Sequence, residues 1–330
     1  MTPARAVLRF SKRRYPLARM ATLLVSLGVS AASLPARAQA PAPKSAPAAA
    51  TSKSTPAPPT KVRMAMTAAF VSESGMPVYG RIATYLSKKL GSEVSFITGQ
   101  SYGEVDKMLD AGAVEVAFVC GLPYVLKHDA NKDSVHLLAA PVMKAARYGK
   151  KPKYFSDLIV RKDSKFKKLE DLRGATFVYN EEASNSGYNL PRYKMLKLGL
   201  TQGFFGKVIR SGSHEESIRL VATGKADASY VDSLVIDFDR ETGNGWASEV
   251  KVLDSLGPAG IPPVVVSGKV SAEVRQRIKQ ALLTMNKDPD GRRILDDALV
   301  ERFVEVDDSN YDDVRQQYQA AVKAGFTTIK

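Results

Sequence analysis

From Lys61 onward, short apolar runs alternate with longer stretches of helical period. "VRMAMTAAF" reads as a strand, "PVYGRIATYLSKKLG" as a helix, "EVSFITG" as a strand, "YGEVDKMLDAG" as a helix and "VEVAFVCG" as a strand. This rhythm predicts the α/β class with a parallel sheet. "SVHLLAAPVM" and "KYFSDLIVR" follow as two extended runs around a Gly/Lys-rich turn. The alternation then restarts through "KLEDLRG", "ATFVYN", "PRYKMLKLG", "FGKVIRSG", "SHEESIRLVATG" and "ADASYVDS". "VKVLDSLGPAGIPPVVVSGK" predicts more sheet, and "SAEVRQRIKQALLTMNK" and "YDDVRQQYQAAVKAG" predict covering helices. The 270 residues from Lys61 exceed one comfortable hydrophobic core, so two domains are expected.

The first 60 residues contain no Asp or Glu. Arg5, Arg9, Lys12, Arg13 and Arg14 precede the apolar run "MATLLVSLGVSAASL", and Ala36-Arg37-Ala38 follows as a cleavage site, the pattern of a secretory signal peptide over residues 1–38. The apolar run is 15 residues long, short of the roughly 20 that span a bilayer as a helix. The paired arginines of "SKRRYPLA" leave export of an already folded protein open beside the general route. Residues 39–60, rich in Pro, Ala, Ser and Thr, predict an extended tether rather than a core.

Charge changes the picture little. The formal net charge is +14, but nine basic residues lie in the leader and tether, leaving +5 on the rest, which gives no case for nucleic-acid binding. The single cysteine, Cys120, lies in an apolar run and reads as a small buried hydrophobe. His128, His136 and His214 are scattered, so no metal cluster and no cofactor are expected. The chain lacks G-x-x-x-x-G-K-[ST] and G-x-S-x-G, and Glu181 and Glu182 read as solvent-facing, so no enzyme is predicted.

The candidate chemistry sits at strand-to-helix junctions. In "EEASNSGYNLPRYKMLKLGL", Ser184, Asn185 and Ser186 precede Gly187. A helix beginning at or just after Ser186 would place Pro191 in its first turn and Tyr193, Leu196 and Leu200 on one apolar face. Its free N–H groups and dipole suit an anion, although Ser186 could simply cap the helix. A second junction, "IRSGSHEESIRL", puts Ser213 and Glu216 in capping-box spacing and His214 in the first turn, where a neutral imidazole would donate to an oxyanion. Asp232 ends the third, "ADASYVDS". It is either a helix cap or an acceptor for a protonated oxyanion that would repel a fully ionised one such as sulfate.

Together with these junctions, "YFSDLIVRKDSKFKKLEDLRGATFVY", Ser-x-Ser-Gly at 184–187, "SGSHEESIRLVATGKADASYVDS" and "LLTMNKDPDGRRIL" make residues 62–315 resemble the extracytoplasmic solute-binding proteins of phosphonate, phosphite and phosphate ABC transporters. The resemblance implies a two-lobe, type II periplasmic binding protein fold whose two crossover strands act as a hinge. Lobe 1 would comprise residues 62–152 and 250–330, lobe 2 residues 153–249. The family's phosphoryl-gripping Ser-Thr-Ser falls on Ser184, Asn185 and Ser186, with Asn in place of the middle Thr. The histidine falls on His214, the acidic residue on Asp232 and the cleft tyrosines on Tyr102 and Tyr154, with Tyr124 as a further match. Where amine-carrying members place a carboxylate in the late loop, this chain has Pro262, which disfavours an amine-bearing ligand.

The implied function is capture of a small phosphorus oxyanion (phosphate, phosphite or a small alkylphosphonate) in the periplasm by a monomer that delivers it to an inner-membrane ABC permease. The alternative is a sensor that docks on a membrane signalling receptor. Ferric-ion capture would call for adjacent tyrosines, which the chain lacks.

Overall fold

The computed structural model describes residues 61–67, 75–243 and 245–330. The expected leader and tether lie outside the described residues. In chain order the elements are β1 (Lys61–Thr67), α1 (Met76–Leu90), β2 (Glu93–Gln100), α2 (Tyr102–Ala111), β3 (Val116–Phe118), α3 (Gly121–Ala130) and β4 (Val135–Met143). They continue with β5 (Lys153–Arg161), β6 (Thr176–Tyr179), α4 (Leu190–Lys197), β7 (Lys207–Arg210), α5 (His214–Ala222), β8 (Ala228–Asp232), α6 (Ser233–Thr242) and β9 (Val250–Gly260). Last come β10 (Val264–Ser267), α7 (Ala272–Leu283), α8 (Pro289–Asp297), β11 (Val300–Val304) and α9 (Asp312–Lys323).

Two sheets organise these elements, as the type II binding-protein class requires: β11-β4-β10-β3-β1-β2 and β7-β6-β8-β5-β9. Each is parallel only in part. β1 pairs in parallel with β2 and β3, and β6 with β7 and β8, while β4, β10 and β11 of the first sheet and β5 and β9 of the second run antiparallel to their neighbours. Strand alternation sends successive side chains to opposite layers. Val62, Met64 and Met66 of β1 enter one core and Ala65 the other; Leu158 and Val160 of β5 enter one and Ile159 the other. Burial of each large apolar side chain contributes about 1.5–3 kcal/mol.

The turn between β4 and β5 carries the chain from the first sheet to the second. Two corrections to the sequence reading bear on the hinge. β9 does not belong with lobe 1: it pairs with β5 from Arg161↔Val250 to Lys153↔Gly260, supplying the hydrogen bonds that β5 needs on its second edge. Crossing therefore occurs at Pro152–Tyr154 against Ala259–Ile261, where Ile261 N–H donates to Pro152 O at 3.2 Å. The C-terminal tail leaves lobe 1 as well, since Phe326 and Ile329 are buried among Phe177, Tyr188 and Phe205 of the second lobe.

Candidate functional site

The stretch after β6 forms a widened helical turn before α4. Over Asn185–Asn189 the bonding is i to i+5, with Asn189 N–H on Ser184 O at 2.9 Å and Leu190 N–H on Asn185 O. Such single π-type turns are frequent at functional sites. The cap is Ser184 rather than Ser186: its Oγ accepts Gly187 N–H at 3.0 Å. Leu196 and Leu200 of the predicted apolar face pack against the second-lobe core. Leu190, Pro191, Arg192 and Met195 are the buried positions, whereas Tyr193 is only partly buried. Ser184, Asn185 and Ser186 are wholly buried, and Ser156 Oγ donates to Ser186 O at 2.6 Å to hold the turn against β5.

Ser213 caps α5 by accepting Glu216 N–H, which leaves His214 at the first helical position, fully buried. Glu216 does not complete a capping box; its carboxylate pairs with Arg219. His214 Nδ1 accepts Asp232 N–H at 3.3 Å, so the neutral ring carries its proton on Nε2. That nitrogen lies 3.5 Å from Ser184 Oγ and 3.3 Å from Ser186 Oγ. Burial lowers the imidazole pKa to about 3, keeping it a neutral donor at physiological pH.

Because the unfolded chain takes up this proton near pH 6.5 and the folded one only near 3, the stability His214 allows is complete above pH 6.5 and falls as pH drops toward 3. Between pH 7 and 4.5, urea melts of the wild type are expected to lose about 2–3 kcal/mol more than those of His214→Gln. Equal losses would show that His214 titrates freely.

Asp232 caps its helix through one carboxyl oxygen and leaves the other without a partner. Its Oδ1 accepts Leu234 N–H at 2.8 Å and caps α6. Its Oδ2 is buried with no hydrogen-bond partner. Burial holds the carboxyl pKa well above the usual range, with Asp157 and Asp237 adding to the rise.

From the other lobe and the hinge come two tyrosines. Tyr102 opens α2 behind the Ser101–Glu104 capping box, and its hydroxyl oxygen accepts Asn180 Nδ2 at 3.0 Å. Tyr154, in the crossover strand β5, accepts Asn185 Nδ2 at 3.0 Å. Burial keeps both phenols protonated, so each retains an O–H to give. The structure thus brings together Ser184, Asn185, Ser186, His214, Asp232, Tyr102 and Tyr154, all nearly or fully buried and none of them a Lys or Arg.

Tyr124 stands apart. Its hydroxyl donates to Asp308 at 2.8 Å and its ring packs edge-on to Tyr311 in the first-lobe core. Two residues were missed. Asn180 directly follows β6 with Oδ1 buried and unpartnered, and Cys120 accepts Asn185 N–H at 3.3 Å while its thiol pKa is pushed up to about 11 by burial. The position of Asn180, last before the polar turn, was the available signal. Glu181 is also corrected: it is buried and faces Arg210 at 3.3 Å, while Glu182 stays exposed.

A family model described as the periplasmic substrate-binding protein of phosphonate ABC transporters matches residues 64–311. The phosphate-import protein PhnD of Mycolicibacterium smegmatis is 26% identical over 280 residues, covering 78% of this chain and 84% of that protein. Among solved structures, PhnD1 of Prochlorococcus marinus in complex with methylphosphonate superposes with a TM-score of 0.70 at 19% identity, covering 80% of this chain and 99% of that one. A binding-protein component of an ABC phosphonate transporter from Pseudomonas aeruginosa gives 0.72 at 19% identity, covering 81% and 88%.

Proposed function

Because the chain belongs to the periplasmic substrate-binding proteins of phosphonate ABC transporters, we propose that it closes its two lobes around one tetrahedral phosphorus oxyanion, namely phosphate, phosphite or a small alkylphosphonate, and presents it as a monomer to an inner-membrane permease. The observation that carries this reading is Asp232 Oδ2, a buried carboxylate oxygen without a partner beside a set of neutral donors. Ser184, Ser186, His214 Nε2 and the two tyrosines offer hydrogen bonds to ionised oxygens. Asp232 requires one shared proton, held either by itself or by the ligand. A phosphorus oxyanion carries such a proton near neutral pH and sulfate does not. The PhnD1 relative is solved with methylphosphonate, which supports a ligand of this size. At the late-loop position Pro262 offers no carboxylate to an ammonium group, which speaks against amine-bearing phosphonates.

Closure would turn on Pro152–Tyr154 and Ala259–Ile261, the paired crossings between the sheets. Calorimetric titration of ligand-stripped protein with phosphate, phosphite, methylphosphonate, aminoethylphosphonate and sulfate tests the reading. Selective binding of one of the first three supports it, and silence from all three, or equal binding of sulfate, refutes it. Ser186→Ala is expected to raise the Kd about 10- to 100-fold with the fold intact, the worth of one hydrogen bond to a charged group; an unchanged Kd would remove Ser186 from the site.

A further inference from the structure

Arg192 is 4% exposed and forms no ion pair among the described residues. Its Nη1 donates to Thr327 O at 3.0 Å and its Nη2 to Asn189 Oδ1 at 3.3 Å; its Nε has no partner, and its guanidinium lies over the rings of Tyr188 and Tyr318. A buried guanidinium without a carboxylate is costly. The anion site proposed above contains no Lys or Arg.

A continuous chain of hydrogen bonds joins the two, and chemistry fixes its direction. A guanidinium only donates, so Asn189 must turn Oδ1 toward Arg192. That leaves Asn189 Nδ2 to donate, which it does to Asn185 Oδ1 at 3.0 Å and to Val314 O at 3.3 Å. Asn185, having accepted on its oxygen, donates through Nδ2 to the Tyr154 hydroxyl oxygen at 3.0 Å. Tyr154 has then accepted on oxygen, and its proton is the one free to go forward. Asn189, Asn185 and Tyr154 are all fully buried, so water does not interrupt the series.

We propose that Arg192 is the remote countercharge of the anion site, acting through Asn189 and Asn185 to orient and polarise the Tyr154 hydroxyl toward the bound oxyanion. The proposal rests on the functional reading given above and deepens it: Arg192 and Asn189 are positioning residues that never touch the ligand. Asn185, at the place where the family has Thr, becomes the middle link of the relay. Hydrogen bonds aligned in a low-dielectric interior strengthen one another, so a cation at one end increases the donor strength at the other.

The decisive variant is Asn189→Asp. The new carboxylate pairs with Arg192 and cannot donate, so Asn185 must turn its amide N–H toward it and present its carbonyl to Tyr154. The Tyr154 proton is then drawn away from the ligand. Titration with phosphate, phosphite and methylphosphonate is expected to show the Kd of the wild type's preferred ligand raised about tenfold or more, close to the effect of Tyr154→Phe, in a protein that stays folded because the new ion pair with Arg192 offsets the lost bond to Val314 O. A role limited to holding the turn predicts the opposite, because the added ion pair tightens Asn189 to Arg192. Retained affinity in a folded Asn189→Asp protein overturns the relay.

Should that variant fail to fold, a cycle of Arg192→Gln with Tyr154→Phe decides. Arg192→Gln is expected to weaken binding about tenfold alone but less than about twofold in the Tyr154→Phe background, and additive losses overturn the proposal. Wild-type protein that binds none of the three ligands refutes the functional reading itself and the relay with it; wild-type binding with an additive cycle refutes the relay alone.

Discussion

Gly187→Ala is expected to abolish measurable binding of any phosphorus oxyanion and to lower stability, although the residue contributes no side chain of its own. Its backbone is helical, so the constraint is space. A Cβ at this position would overlap Asn180 Oδ1 and lie 3.0 Å from Asn180 Cγ and 3.1 Å from His214 Cε1. Neither neighbour is the loose end of a flexible chain. Asn180 is tied to Tyr102 at 3.0 Å and His214 to Asp232 N–H at 3.3 Å, both inside the candidate site. The methyl group must therefore displace two site residues, at an overpacking cost of about 1–3 kcal/mol. Moving the His214 and Tyr102 donors off the ligand is expected to raise the Kd more than about 100-fold. Gly103→Ala is the control. It adds a Cβ in α2 beside Tyr102 with nothing within 4 Å, and is expected to leave binding unchanged while gaining up to about 1 kcal/mol of helix propensity. Thermal melts and calorimetry on both variants check the pair; full affinity in Gly187→Ala would mean that the turn around it does not hold the ligand.

The parts of this site that were legible in the sequence are those encoded locally. A strand that ends in small polar residues and opens into a helix exposes backbone N–H groups whatever the rest of the chain does, and Ser184–Ser186, His214 and Asp232 were all found at such junctions. Non-local facts were hidden. The tautomer of His214 depends on Asp232 N–H, 18 residues away. Tyr124 resembled a cleft residue until Asp308, 184 positions later, took its hydroxyl. Burial of Arg192 depends on the C-terminal tail, which folds back to cover it through Thr327, 135 positions later. Of the apolar face read for α4, Leu196 and Leu200 do pack against the second-lobe core, but regular 3.6-residue counting does not anticipate the π-type turn that precedes the helix. The lobe assignment of β9 failed for the related reason that strand pairing is decided between distant segments.

Asp232→Asn is expected to make the ligand-free protein more stable and less selective. The wild-type carboxyl is buried, its Oδ2 has no partner, and its pKa stands well above the ordinary value. Ionising it inside the fold is therefore unfavourable. Below pH 3.8 the group is protonated in both the folded and unfolded chains and carries no such penalty. As pH rises from there toward the folded pKa, the unfolded state gains the advantage by about 1.4 kcal/mol per pH unit. Asparagine keeps the Oδ1 cap on Leu234 N–H and removes the titration, so its advantage should be small in urea melts at pH 4.5 and larger at pH 8. The same change replaces an acceptor aimed into the site with an N–H donor. Sulfate, which brings no proton to share with Asp232, should begin to bind. Phosphorus oxyanions should lose about tenfold or more, because their shared proton no longer meets a carboxylate. A variant that still rejects sulfate, or whose stability gain does not grow with pH, would mean that Asp232 serves only to cap α6 and that discrimination between the two anions arises elsewhere in the cleft.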